Sequence, residues 1–181
     1  TNAGGSWATE AVDDGGYVDG YTSLALDSSG KAHISYFDYY NYGLKYATNA
    51  IGSWTTRTVD TYASYGYATS LALDGTGTIH ISYRGYNYGT ATTYNYGLKY
   101  ATNASGTWTT TMVDSAGDSV GYYPSLAIGG SGKAHISYFD WDNYDLKYAT
   151  NATGTWTATT VDGYGNVGAY TSIKVNGSGV A

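Results

Sequence analysis

The chain is 181 residues long, with 26 Gly, one Pro, no Cys and a formal net charge of −6. Without cysteine there are no disulfides and no thiol catalysis, and eight Lys and Arg against 14 Asp and Glu give no basic footprint for nucleic acid. No apolar run approaches the ~18 residues of a membrane-spanning helix, while 23 Tyr, five Trp and two Phe supply apolar surface that the sparse aliphatic residues do not.

In chain order, the first element is Thr1-Asn-Ala-Gly-Gly-Ser-Trp7, with a strand expected near Trp7–Val12. The segment returns at Thr48–Trp54, Thr102–Trp108 and Thr150–Trp156, so the tryptophans lie 47, 54 and 48 residues apart. Between the first two copies the pattern predicts four short strands. Strand A is Thr22–Asp27, where Leu24 and Leu26 alternate with Ser23 and Ala25. Strand B is Ala32–Phe37, strand C Leu44–Thr48, and strand D the Thr-rich Trp54–Val59. The A–B link, Asp27-Ser-Ser-Gly30, and the C–D link, Asn-Ala-x-Gly, carry tight-turn residues. His33-Ile-Ser-Tyr36 and Leu44-Lys-Tyr-Ala47 recur at His80 and His135 and at Leu98 and Leu146. A final strand A is expected at Thr171–Asn176.

Four antiparallel strands in a unit of ~40–50 residues is the signature of a β-propeller blade. The expectation is an all-β chain of three complete blades plus a partial one. It forms one repeat region over 1–181, with repeats at about 1–47, 48–101 and 102–149 and a partial one at 150–181. The longer second repeat differs by seven extra residues between Tyr83 and Leu98, read as a surface loop. A self-contained closed ring is not expected, because strands B and C of a fourth blade are missing; further blades or further copies of the repeat are the expected neighbours.

In such a blade the B–C and D–A links emerge on one face. The B–C links place Tyr39, Tyr40, Asn41 and Tyr42 on the first blade, Tyr86, Asn87, Tyr88, Tyr94, Asn95 and Tyr96 on the second, and Trp141, Asn143 and Tyr144 on the third. The D–A links, such as Asp13–Tyr21 and Asp60–Tyr67, are also rich in Tyr, Asp and Gly. Aromatic rings and amides suit sugar rings, and they suit protein contacts equally well. Asp140, Asp142 and Asp145 form an oxygen-rich stretch that could hold calcium, although their spacing departs from the EF-hand pattern. His33, His80 and His135 share one register and read as structural. Lys45, Lys99 and Lys147, with Asp13, Asp60, Asp114 and Asp162, suggest interblade ion pairs, each adding only ~0–1 kcal/mol if exposed.

The motif Thr-Asn-Ala-x-Gly-Ser/Thr-Trp resembles the Asp-box of sialidase-like (BNR-type) propellers, with Asn49, Asn103 and Asn151 where an Asp is usual. The whole blade is similar to repeats of large bacterial extracellular propeller proteins. The resemblance implies a structural role for the C–D hairpin and an extracellular or cell-surface location. Family sialidases use three arginines for the substrate carboxylate, whereas this chain has only Arg57 and Arg84, on different elements. No catalytic triad order or phosphate loop is present. The expectation is a non-enzymatic protein without cofactor. It would act in binding or adhesion, with a glycan or protein held at the loop face. The alternatives are a structural subunit of a filament or surface layer, or a non-catalytic part of a glycosidase-like enzyme.

Overall fold

The computed structural model describes residues 4–15, 17–63, 68–88 and 94–181, apart from the side chains of residues 19, 20 and 88. The first blade is β1 (Val18–Leu26), β2 (Ala32–Asp38), β3 (Gly43–Thr48) and β4 (Thr55–Asp60). The second is β5 (Thr69–Leu73), β6 (Ile79–Tyr88), β7 (Tyr94–Thr102) and β8 (Thr109–Asp114). The third is β9 (Val120–Ile128), β10 (Ala134–Asp140), β11 (Asp145–Thr150) and β12 (Thr157–Asp162). Each set forms its own four-stranded antiparallel sheet in sequence order, and no helix occurs among the described residues. The three expected blades are therefore present. The first strands lie side by side, β1 against β5 and β5 against β9, while the outer β8 and β12 meet only marginally. The sheets fan out like wedges.

Two turns recur because the same side chains satisfy the same backbone donors. Asp27 Oδ1 accepts from the N–H groups of Ser29 and Lys31 at 2.8 Å each, and Asp74 does the same for Thr76 and Thr78. At the C–D hairpin the side-chain oxygens of Asn49, Asn103 and Asn151 accept from Ala32, Ile79 and Ala134 N–H, each at 2.8 Å. That bond ties the hairpin to strand B, which is a structural role.

Strand alternation loads both faces of each blade. Between blades 1 and 2 the core takes Phe37, Leu44 and Tyr46 from one side and Leu71, Ile79, Ile81 and Tyr83 from the other. Between blades 2 and 3 it takes Leu98 and Tyr100, then Leu126, Ile136 and Tyr138. Trp108 and Trp156 are half-buried and sit on the preceding blade's Tyr46 and Tyr100, ring centroids 5.3 and 5.0 Å apart. A backbone stitch repeats at each joint: Leu71 N–H donates to Ser23 Oγ at 2.9 Å and Leu126 N–H to Ser70 Oγ at 3.0 Å.

The repeated lysines pair with Asp13, Asp60 and Asp114, as expected, but these pairs are buried rather than exposed, while Asp162 is exposed and its Oδ1 accepts Tyr164 N–H. Lys99 Nζ and the Tyr83 hydroxyl both donate to Asp60 Oδ2 at 2.5 Å, and Lys99 is 2% exposed. Lys147 and Tyr138 meet Asp114 Oδ2 at 2.7 and 2.6 Å, and Lys45 and Tyr36 meet Asp13. Such a pair costs desolvation to form, and removing one partner strands the other charge. Each histidine stays inside its own blade: His33 Nδ1 shares a 2.5 Å hydrogen bond with the Tyr46 hydroxyl, and His135 a 2.6 Å bond with that of Tyr148.

Both terminal segments depart from expectation. Residues 7–12 and 171–176 form no strand, because no neighbouring strand offers them a ladder. They nevertheless hold blade positions. Asp13 stands where Asp60 and Asp114 stand for later blades, and Ile173 N–H donates to Ser125 Oγ at 3.1 Å, repeating the serine stitch. This C-terminal segment is the partial fourth blade. Blade 1's outer face is left with Leu24 61% exposed, while its equivalents Leu71 and Leu126 are 6% and 7% exposed.

Candidate functional site

The antiparallel strand order puts the A–B and C–D turns at one rim and the B–C and D–A links at the other. The second rim carries the expected aromatics, and its geometry starts from Asp38. This carboxylate is buried and accepts Tyr40 N–H at 3.0 Å, Asn41 N–H at 3.1 Å and Asn41 Nδ2 at 3.0 Å. Burial pushes the carboxyl up, but the Asn41 and Tyr40 donors outweigh it and hold Asp38 below the usual range. The turn so fixed displays Tyr39, Tyr40 and Tyr42 to solvent. Asp140 repeats the device in blade 3, accepting from Asp142 N–H, Asn143 N–H and Asn143 Nδ2 at 3.0, 3.3 and 3.0 Å. Asn41 and Asn143 therefore spend their amide nitrogens on the turn.

The three acids suggested for calcium are not brought together. Asp140 is buried under its turn, Asp142 Oδ2 accepts Ser119 N–H at 2.9 Å, and Asp145 Oδ2 accepts the Thr160 hydroxyl at 3.4 Å. Among the described residues no three His, Asp or Glu converge on a point where a metal could sit.

Blade 2 departs from its neighbours. Arg84 and Gly85 stand where the others have Phe37 and Asp38 or Phe139 and Asp140. Without the carboxylate turn, β6 and β7 run on as a paired finger, with Tyr86 opposite Tyr96, Asn87 opposite Asn95 and Tyr88 opposite Tyr94. The extra residues thus extend a hairpin where a loop was expected; residues 89–93 lie outside the described part, as does the Tyr88 side chain. Gly85 and Gly97 make the finger possible. A Cβ at Gly97 would sit 2.1 Å from the Asp114 carbonyl oxygen, and one at Gly85 2.7 Å from that of Tyr62.

The result is an aromatic platform on each blade. Tyr39, Tyr86 and Trp141 occupy the same position at the top of strand B. Tyr17 and Tyr62 from the preceding D–A links and Tyr122 from β9 meet them in turn, at 6.3, 5.7 and 5.6 Å between centroids. Tyr96 and Tyr144 add a third ring, 5.4 Å from Tyr86 and 6.4 Å from Trp141, and Tyr94 lies 5.1 Å from Tyr86. Under the platforms, Phe37 and Phe139 make edge contacts with Tyr39 and Trp141 at 5.9 and 5.6 Å. In blade 2 the guanidinium of Arg84 lies 4.9 Å from the Tyr96 ring and 4.4 Å from the Tyr122 ring, and it donates to the Asp118 carbonyl at 2.8 Å. It joins the platforms of blades 2 and 3.

Four tyrosines hold left-handed backbone conformations: Tyr42 (φ 51°), Tyr123 (φ 47°), Tyr144 (φ 60°) and Tyr170 (φ 56°). A bulky side chain there costs of order 1–3 kcal/mol, and such strain clusters at functional sites. Tyr123 and Tyr170 stack at 4.2 Å, Tyr170 is 77% exposed, and Tyr42 and Tyr144 are each a little under half exposed. Sequence reasoning placed the B–C aromatics and saw the D–A links as Tyr-rich, but it did not single out Tyr17, Tyr62, Tyr122 or Arg84. For the three tyrosines the signal was the recurrence of one ring after each strand D; for Arg84 it was an arginine where the other blades carry Phe37 and Phe139. Residues 64–67 of the second D–A link lie outside the described part.

Fold and rim together define an array of β-propeller blades with an aromatic loop rim. No protein-family model matches the chain, and no curated protein matches it. Among solved structures it is similar to a fucose lectin from Kordia zhangzhouensis in complex with methyl-fucoside, with 21% identity and a TM-score of 0.48 over 76% of this chain and 96% of that one. It is also similar to the α-L-arabinofuranosidase Arb93A of Fusarium graminearum in complex with an iminosugar inhibitor, at 15% identity and a TM-score of 0.49 over 81% of this chain and 49% of that one. A third is a protein of unknown function from Dyadobacter fermentans, at 12% identity and a TM-score of 0.46 over 77% of this chain and 53% of that one. The chain thus spans about half the length of the latter two.

Proposed function

We propose that this chain is a non-catalytic binding module whose loop rim holds glycans, one sugar-stacking platform per blade. The carrying observation is the ring set itself, with Tyr39 and Trp141 exposed and Tyr86 half-buried among Tyr62, Tyr94 and Tyr96. Three equivalent positions present Tyr39, Tyr86 and Trp141, backed by Tyr17, Tyr62 and Tyr122 and flanked by the strained Tyr42 and Tyr144. Sugars offer apolar C–H faces that lie flat on such rings, and aromatics supply contact area at low entropy cost. Three modest sites on one rigid rim would reinforce one another on a repeating glycan. Four carboxylates near the rim are committed elsewhere, Asp38 and Asp140 to turns and Asp60 and Asp114 to lysines, which supports a non-catalytic role. Work outside the cell or at its surface, in binding or adhesion, fits this reading. So does the likeness to Asp-box propellers, since Asn49, Asn103 and Asn151 perform a hairpin-locking task.

The test is glycan binding by wild type and by Trp141→Ala and Tyr39→Ala. We expect saturable binding that weakens by ~10-fold or more in each variant, with stacking lost at ~1–3 kcal/mol per ring by analogy with base stacking. Unchanged melting would separate the effect from misfolding. Variants that bind every glycan as wild type does would sink the reading, as would hydrolysis of an aryl glycoside by the wild type. A second reading rests on the uncovered end faces at Leu24 and Val161. Further copies or blades would cover them, making the chain a unit of an assembly. Concentration-dependent growth of the particle in light scattering would favour it.

A further inference from the structure

Building on the glycan reading, we infer that the loop rim selects glycans that carry no carboxylate or sulfate. The inference comes from locating every cation in the chain. There are eight Lys and Arg residues. Lys45, Lys99 and Lys147 are consumed in the buried interblade pairs. Lys31 and Lys133 belong to the A–B turns at the opposite rim. Arg57 lies within β4, opposite Tyr46 in the middle of β3, and Lys174 lies within the segment that takes the place of a fourth strand A. Arg84 alone reaches the loop rim, and it is 6% exposed, pressed between Tyr96 and Tyr122 with its Nη2 bound to the Asp118 carbonyl. The residues outside the described part contain no Lys or Arg.

Anions, by contrast, are displayed. Asp14, Asp118 and Asp142 are exposed on the D–A and B–C links that carry the platforms. A sugar hydroxyl can donate to these carboxylates. A uronate, sialate or sulfate brought onto the same rings would meet like charge and no accessible cation to neutralise it. The rim thus combines stacking surface, hydroxyl acceptors and a negative field. That combination rejects acidic glycans while leaving neutral ones unaffected by salt.

The experiment uses the whole chain against an array in which each oligosaccharide is present in neutral, sialylated and sulfated forms. It is read at about 50 and about 500 mM NaCl, on either side of effective screening. Support would be binding to neutral members, unchanged by salt, with their acidic counterparts weaker by ~3- to 10-fold at low salt. Asp14→Lys with Asp118→Lys should then raise acidic binding relative to neutral binding by a similar factor. Acidic forms bound as well as or better than neutral ones would overturn the inference while the stacking reading stands. Acidic discrimination that persists unaltered in the lysine variant would likewise overturn it. Failure to bind any member of the array would remove both the reading and the inference.

Discussion

Blades 1 and 2 share one strand A, Ser-Leu-Ala-Leu, at residues 23–26 and 70–73, yet it lives in two different environments. In blade 2, Leu71 is buried against Phe37, Leu44 and Tyr46 of the preceding blade. In blade 1 the same leucine, Leu24, faces solvent. The lysines differ in the same sense. The side chain of Lys99 is 2% exposed, while that of Lys45 is 14% exposed and paired through a short segment rather than a full blade. One sequence makes one strand in both places. Only the neighbouring blade turns that strand into core. A blade is thus a local consequence of turns and alternation, whereas its stability belongs to the joint.

The sharpest way to break this comparison is Lys99→Met. It strands the buried Asp60 carboxylate, and denaturant unfolding should show a loss of ~3–5 kcal/mol. Lys45→Met should cost clearly less, and equal losses would contradict the difference in surroundings. Next in size, Leu71→Ala should cost ~2–4 kcal/mol through lost transfer energy and a residual cavity. Leu24→Ala should stay within about 0.5 kcal/mol, as for a surface position. A matching pair of midpoints would show that blade 1's outer face is covered in solution.

A smaller and more distributed effect is expected from acid. Burial raises the Asp114 carboxyl, but Lys147 and Tyr138 outweigh it and hold it below its ordinary value, while the Lys45 and Tyr36 bonds bring Asp13 down to about 2. A lowered folded-state value means that the unfolded chain takes up the proton first. The stabilisation is complete above the unfolded value of about 4 and fades as pH falls through the folded values. His80 and His135 are lowered by burial, so they add a shallower decline beginning below about 6.5. Calorimetry at pH 7, 5 and 3 should show a falling midpoint, steepest in the last interval; a flat profile would refute the assignment.

The blades, their turns and the half-burial of both strand parities were legible because each repeat states them again. Leu24, Leu71 and Leu126 share a register, and so do Asn49, Asn103 and Asn151. What stayed hidden was contact between segments far apart in the chain. Periodicity says which face Tyr86 takes. It does not say that Tyr62 will lie against it, or that Arg84 will reach a carbonyl on blade 3. Asp140 looked like a ligand because carboxylates in loops usually face water, and Asp38 takes the same place in blade 1. Here the following N–H groups turn them inward. The finger of blade 2 was read as a loop because its length was visible and its pairing was not. The glycines that permit it, Gly85 and Gly97, answer to atoms of Tyr62 and Asp114.

The serine stitch carries one more consequence. Ser23, Ser70 and Ser125 each grip the backbone of the unit that follows, with the same atom and nearly the same length. The stitch is therefore the same coupling at all three joints. Tandem duplication of one repeat in the coding DNA would add a part that already fits at both of its ends, and loss of one would leave fittings that still match. Such an array can lengthen or shorten by whole units during evolution without having to discover a new interface.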